Sequence, residues 1–217
     1  MKNSIKAIVV LLATSLSVFA QDQDPKAKAI LDDVSKTTKA YKTITTEYSL
    51  SVKNKDNKET DKQSGKVQVK GNKFRLELKG NTIVCDGKTV WTINHDAKEV
   101  SVKNYEPAGD DGLDPTKIFT MYEKGYKYKY DKEEKIGTTS VSVINLYPSV
   151  KPEKKKFHTV KLSVDKMKKQ VKQLKMLMKD GGSQTYEVKS MTPNTDLADS
   201  LFVVDPKALG YEVIDER

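Results

Sequence analysis

The stretch VQVKGNKFRLELKGNTIVCDGKTVWTINHDAKEVSV, Val67 to Val102, decides the reading of this chain. Apolar residues alternate with polar ones at Val67/Val69, at Phe74/Leu76/Leu78 and at Val100/Val102. A period of two places each set on one face of a strand. Asp86-Gly87, between Val84 and Thr89, tolerates the positive φ that a tight hairpin needs. The segment therefore predicts an antiparallel sheet with one apolar face, and that face must be buried against something.

Working outward, the same pattern predicts strands at Thr43–Lys53, Thr60–Lys70, Lys73–Lys79, Thr82–Cys85, Lys88–Asn94 and Lys98–Lys103. It resumes at Tyr126–Ile136, Thr138–Tyr147, Lys156–Asp165, Gln170–Lys179 and Ser183–Met191. Asp24-Pro25 opens a helix, with Asp as N-cap and Pro at the first helical position. Ala27, Ile30, Leu31 and Val34 form its apolar stripe. Asp114-Pro115 repeats the device, with Ile118, Phe119 and Tyr122 as the stripe of a short second helix that Gly125 ends. The expected fold is mainly β with few helices: an unclosed antiparallel barrel of about eleven strands with helices over its mouth. Val160, Leu162 and Val164, with Leu174, Met176 and Met178, extend the inward row. These side chains either fill the barrel as an ordinary core or line a cavity, and methionine suits both.

Residues 1–20 read as an export signal and 21–217 as one domain. Lys2 and Lys6 precede an apolar run from Ala7 to Phe19, and Ala20 is the small residue a signal peptidase accepts. Thr14, Ser15 and Ser17 interrupt that run, which is too short to span a bilayer. No Cys follows it, so no lipid attachment is expected there. The expected location is outside the cytoplasm, in soluble form.

The sequence is 36% hydrophobic and 32% charged, as suits a soluble globular domain. A single cysteine, Cys85, excludes an intramolecular disulfide and reads as a strand filler. The formal charge is +9, and +7 once Lys2 and Lys6 are removed. Nearly all of it is lysine; Arg75 and Arg217 are the only arginines. That argues against nucleic acid, which favours guanidinium forks. Scattered lysines leave room for a loose attraction to anionic headgroups or an acidic partner.

Chemistry of the usual catalytic kinds has no foothold here. His95 and His158 lack companion ligands at useful spacing, and a metal site needs three or four converging ligands. Asp32/Asp33 and Glu133/Glu134 read as solvated charge, and no glycine-rich phosphate cradle is present. No catalytic residue, metal or cofactor is expected.

The collinear set VQVKGNKFRLEL, IVCDGKTVWTINHDAKEVSV, LDPTKIFTMY, INLYPS, HTVKLSVDKMKKQVKQLKMLMKDG, TYEVKSM and LFVVDPKALGYEVID resembles the LolA family of periplasmic lipoprotein carriers. Asp86–Trp91 is its most specific piece. The resemblance implies a half-barrel with a helical lid around a cavity for lipid chains. It also implies the partners: acylated lipoproteins, an inner-membrane lipoprotein-releasing ABC complex and an outer-membrane acceptor of unknown identity, with no nucleic acid and a monomeric chain. The lipid-contacting residues expected from strand phase are Phe74, Leu76, Leu78, Val100, Val102, Leu162, Met176 and Met178, and those of the lid are Ile118, Phe119 and Tyr122. One departure stands out. Family members carry a Lys-Arg-Pro segment whose Arg contacts the lid, and here the matching residues are Lys70-Gly71-Asn72-Lys73. Arg75 matches a different family position, so no residue inherits the latch. A sensor of lipid or mislocalised lipoprotein built on the same half-barrel is the alternative, and a filled structural barrel is a third reading.

Overall fold

The computed structural model describes residues 23–106, 115–117 and 121–217. One helix, α1 (Pro25–Lys39), lies against a single twelve-stranded sheet. The strands are β1 (Thr43–Lys53), β2 (Glu59–Lys70), β3 (Lys73–Leu78), β4 (Asn81–Cys85), β5 (Thr89–Asn94) and β6 (Glu99–Asn104). They continue as β7 (Tyr126–Ile136), β8 (Thr139–Pro148), β9 (Phe157–Asp165), β10 (Val171–Met178), β11 (Ser183–Pro193) and β12 (Glu212–Asp215). Their order across the sheet is β12-β6-β5-β4-β3-β2-β1-β11-β10-β9-β8-β7. The two end strands, β12 and β7, do not join, so the barrel is unclosed.

All eleven expected strands form, because each alternates or is bounded by turn residues. The Asp86-Gly87 turn is built as expected. Asp86 Oδ1 accepts from the backbone N–H groups of Lys88 and Thr89, both at 2.8 Å, and Gly87 has φ +95°. The twelfth strand is an addition. Residues Glu212–Asp215 pair parallel to β6 after a one-turn helix α2 (Pro206–Leu209), which Asp205 caps and Gly210 ends at φ +64°.

Helix α1 is tied down at its first turn. Asp24 Oδ1 accepts from Lys26 N (2.8 Å) and Ala27 N (3.2 Å), while its Oδ2 takes Tyr130 N of β7 (3.0 Å). One carboxylate thus caps the helix and anchors it to an end strand; these backbone bonds, Ala27's foremost, hold its pKa below the ordinary value. The stripe Ala27, Leu31 and Val34 is fully buried. It shares one cluster with Ile144, Leu146, Val160, Leu162, Leu174 and Met176 from β8, β9 and β10.

The sheet has apolar residues on both faces. Register resolves them: Phe74 pairs with Val69 and Cys85, and Leu76 pairs with Val67 and Ile83. These belong to, or pack on, the cluster that holds α1. On the opposite face Val84 pairs with Trp91, Trp91 with Val102 and Ile93 with Val100. Those five form a second cluster, covered by Val204 and Tyr211 of the C-terminal segment.

Gly65 marks a close approach between strands. It sits opposite Tyr48, and a Cβ there would lie 2.5 Å from the Tyr48 hydroxyl oxygen and 2.6 Å from the carbonyl oxygen of Glu77. The tyrosine ring rests over the bare backbone. Gly65→Ala is expected to cost about 1–3 kcal/mol, because the Glu77 backbone cannot swing aside. Urea denaturation measures it; unchanged stability would show that the ring does not rest on Gly65.

Candidate functional site: the concave face and its helix

The face that carries α1 is not evenly covered. Toward β8–β10 the side chains are sealed, with Leu146 and Val160 at 0% exposure. Toward β2–β5 the same face has Val69, Phe74 and Cys85 buried, but Val67, Leu76, Ile83 and Val90 are only half-buried, with Tyr105 beside them. Phe74 forms an edge-on contact with Tyr105, ring centroids 6.4 Å apart. The result is an apolar surface that is core at one end and partly open at the other.

The residues expected to contact lipid divide accordingly. Phe74, Leu162 and Met176 are buried in the cluster with α1, and Leu76 and Met178 pack against it half-buried. Leu78 shares the phase of Phe74 and Leu76 but lines an open cleft of about 480 Å³ with Tyr48, Gly65 and charged neighbours. Val100 and Val102 are a correction: they face the other way, in the second cluster. On β6 the concave phase belongs to Ser101 and Lys103, which pair with Thr92 and Val90. The reason is that β5 offers apolar residues to both faces, so alternation in β6 alone does not say which face is which. Val67, Ile83 and Val90, not among the residues expected to contact lipid, stand on the same half-buried row as Leu76. Their signal is pairing, since Val67 and Ile83 both lie directly opposite Leu76.

Of the expected lid residues, Ile118 and Phe119 lie outside the described residues. Tyr122 is buried in a 3-10 turn, Met121–Glu123, rather than an α-helix. Its hydroxyl donates to the carbonyl oxygen of Leu31 in α1, and burial pushes its pKa up to about 12, so it stays a neutral donor. Beside it Glu123 Oε1 accepts from Lys39 Nζ and Ser35 Oγ, each at 2.5 Å. The Lys39 contact first, then Ser35, draws the Glu123 carboxyl below its ordinary value. This segment is therefore clasped to α1 by three hydrogen bonds.

The segment that replaces Lys-Arg-Pro points elsewhere. Lys70 Nζ donates to the carbonyl oxygen of Leu197 (2.9 Å), and Lys70 and Lys73 both meet Asp199 Oδ1, at 3.3 and 3.0 Å. Those partners belong to the C-terminal segment. Pro115 and Thr116 line a small cleft of about 130 Å³ with Tyr41, Ile44, Val69 and Gly71.

His95 bonds Thr82 Oγ1 through Nε2 (3.0 Å) and stands edge-on to Tyr211, while His158 Nδ1 meets Thr159 Oγ1 (2.9 Å). Among the described residues no group of three His, Cys, Asp or Glu side chains is placed to hold a metal. Among them also, no helix is long and apolar enough to cross a membrane. Cys85 is fully buried in the main cluster.

An open half-barrel curved around a helix, with an apolar concave face, defines a class of fold. Residues 39–205 match the family described as outer membrane lipoprotein carrier protein LolA, and the chain belongs to that family. No curated protein matches the sequence. Among solved structures, the chain is similar to an uncharacterized conserved protein from Thermus thermophilus, with TM-score 0.57 and 15% identity, covering 88% of this chain and 99% of that one. It is also similar to a putative outer membrane lipoprotein-sorting protein domain from Vibrio parahaemolyticus (TM-score 0.44, 12% identity, 84% and 99% covered). A third is the Mycobacterium tuberculosis lipoprotein LppX (TM-score 0.48, 14% identity, 81% and 99% covered).

Two outcomes are expected of the clasp. Tyr122→Phe leaves the Leu31 carbonyl to other partners and should cost about 1–2 kcal/mol, measured by denaturant melts. Because Glu123 is depressed in the folded state, its contribution is complete above its unfolded value near 4.5 and is lost as pH falls through the lower folded value. Thermal midpoints taken across that acid range should fall more steeply for the parent than for Glu123→Gln.

Proposed function

We propose that this protein is a periplasmic carrier that shields the acyl chains of lipoproteins on its concave face and ferries them from inner to outer membrane. The observation that carries this reading is the half-covered apolar row Val67, Leu76, Ile83 and Val90, continuous with the core that seats α1. Family membership over residues 39–205 supports it. An acyl chain exposed to water costs about 0.8 kcal/mol per methylene, so a long chain needs cover on the order of ten kcal/mol. An apolar surface gives non-directional cover and lets the load go again without breaking a set of specific bonds.

In this reading residues 1–20 direct export and are removed. The segment from Pro115 to about Lys124 acts as the lid through Ile118, Phe119 and Tyr122, and the bonds of Tyr122 and Glu123 to α1 support this. The donor is an ABC-type releasing complex in the inner membrane, and an acceptor at the outer membrane receives the load.

The test is capture. The mature protein should form a soluble one-to-one complex with an acylated lipoprotein, and removing the acyl groups should abolish it. Equal affinity for acylated and non-acylated forms overturns the proposal. A pair of variants separates the faces. Leu76→Asp puts a charge on the open apolar row and should weaken an acyl-chain probe at least about tenfold. Val102→Ala, on the other face, should cost about 1–2.5 kcal/mol of stability and leave probe affinity unchanged.

A further inference from the structure

Strand β1 carries three threonines near its start, and two are satisfied. Thr43 Oγ1 donates to the carbonyl oxygen of Thr195 at 2.6 Å, and Thr45 Oγ1 meets Thr195 Oγ1 at 3.0 Å. Thr46 differs: it is 3% exposed and its hydroxyl has no hydrogen-bond partner. The other buried side-chain atom without a partner among the described residues is Oδ1 of the half-buried Asn145, on the outward phase of β8 between Ile144 and Leu146, which belong to the α1 cluster. Thr46 shares the phase of Ile44, which belongs to the α1 cluster, and lies across from Val67 on β2 and Met191 on β11. Both of those pack half-buried against that cluster.

A buried hydroxyl with no partner is a standing cost, and valine would fill the same volume without it. Nor is Thr46 alone. Two positions along β1, Tyr48 stacks at a tilt on Tyr186 of β11, ring centroids 6.1 Å apart. Burial, with the Tyr186 neighbour, pushes Tyr48 up to about 12 and keeps it protonated. Tyr186 in turn reaches Gln184 Oε1 at 3.4 Å. Thr46, Tyr48 and Tyr186 thus bring three hydroxyl groups to β1 and β11 among the apolar side chains of this face. Met191, unbranched and half-buried, is the neighbour best able to swing away from Thr46.

We infer that the Thr46 hydroxyl is a polar subsite of the concave face that donates to the ester carbonyl of a bound diacylglyceryl lipid, with the acyl chains lying along the apolar rows on either side. The inference rests on the acyl-carrier reading and deepens it from apolar chains in general to ester-linked ones. The same carbonyl occurs in a lipoprotein's diacylglyceryl group and in a phospholipid.

The test compares ester-linked with ether-linked lipids of equal chain length, which differ in that carbonyl. Two pairs are used, phosphatidylglycerol and a diacylglyceryl-cysteine lipopeptide, each displacing a fluorescent fatty acid from the mature protein. The parent should prefer ester over ether by about three- to tenfold, the worth of one hydrogen bond. Thr46→Val should erase that preference without weakening the ether lipid, and should melt no lower than the parent. Thr46→Ser should keep the preference. A preference confined to the lipopeptide identifies lipoprotein as the source, and one seen in both pairs identifies any diacylglyceryl lipid. An ester-to-ether ratio that is the same in the parent and in Thr46→Val overturns the subsite while leaving the carrier reading in place. Failure of the parent to bind any of the four lipids overturns both.

Discussion

The seating of α1 against β8–β10 is the constraint on which the rest depends. Leu31 and Val34 are sealed there, and the Asp24 carboxylate holds the helix start to β7 through Tyr130. Among the described residues, α1 and Tyr122 share one buried cluster with β8–β10 and with Val69, Phe74 and Cys85, while Val67, Leu76, Ile83 and Val90 keep only half their cover. The partly open apolar row lies beyond that cover, while Tyr122 docks onto the Leu31 carbonyl. Loosen the helix and the sealed core, the clasp and the half-open row are all disturbed together.

The strands were legible because their alternation is regular and their turns use Asp-Gly, Gly-Gly and similar pairs at positive φ. Helix α1 was legible from Asp24-Pro25 and a clean apolar stripe. Two things were not. The first is which face Val100 and Val102 occupy, since VWTI in β5 supplies apolar residues to both sides and only the pairing of Trp91 with Val102 decides. The second is β12, whose four residues are too few for a period and whose parallel pairing with β6 spans more than a hundred residues of chain. Thr46 belongs to neither class. An unpartnered hydroxyl is a property of three-dimensional neighbours, and in the sequence it is one threonine among several on β1.

The C-terminal segment does more than finish the sheet. It covers the outward cluster with Val204 and Tyr211, and it takes Lys70 and Lys73 through Asp199. Those lysines stand in the segment where the family resemblance implies an arginine. In this chain that corner is committed to the opposite side of the sheet, and the work of holding residues 121–123 falls to α1 through Ser35 and Lys39. Residues 121–123 are thus bonded to a helix rather than to a strand end.

The gap between β12 and β7 bears on how the sheet can deform. A closed barrel has a strand number and stagger that fix its radius, and widening it means breaking ladder hydrogen bonds. An open sheet has no such closure condition. Its curvature can relax by small changes of twist spread over eleven strand pairs, with every inter-strand bond kept. The curvature is therefore elastic rather than of set bore, and the arc can flatten without unfolding a seam.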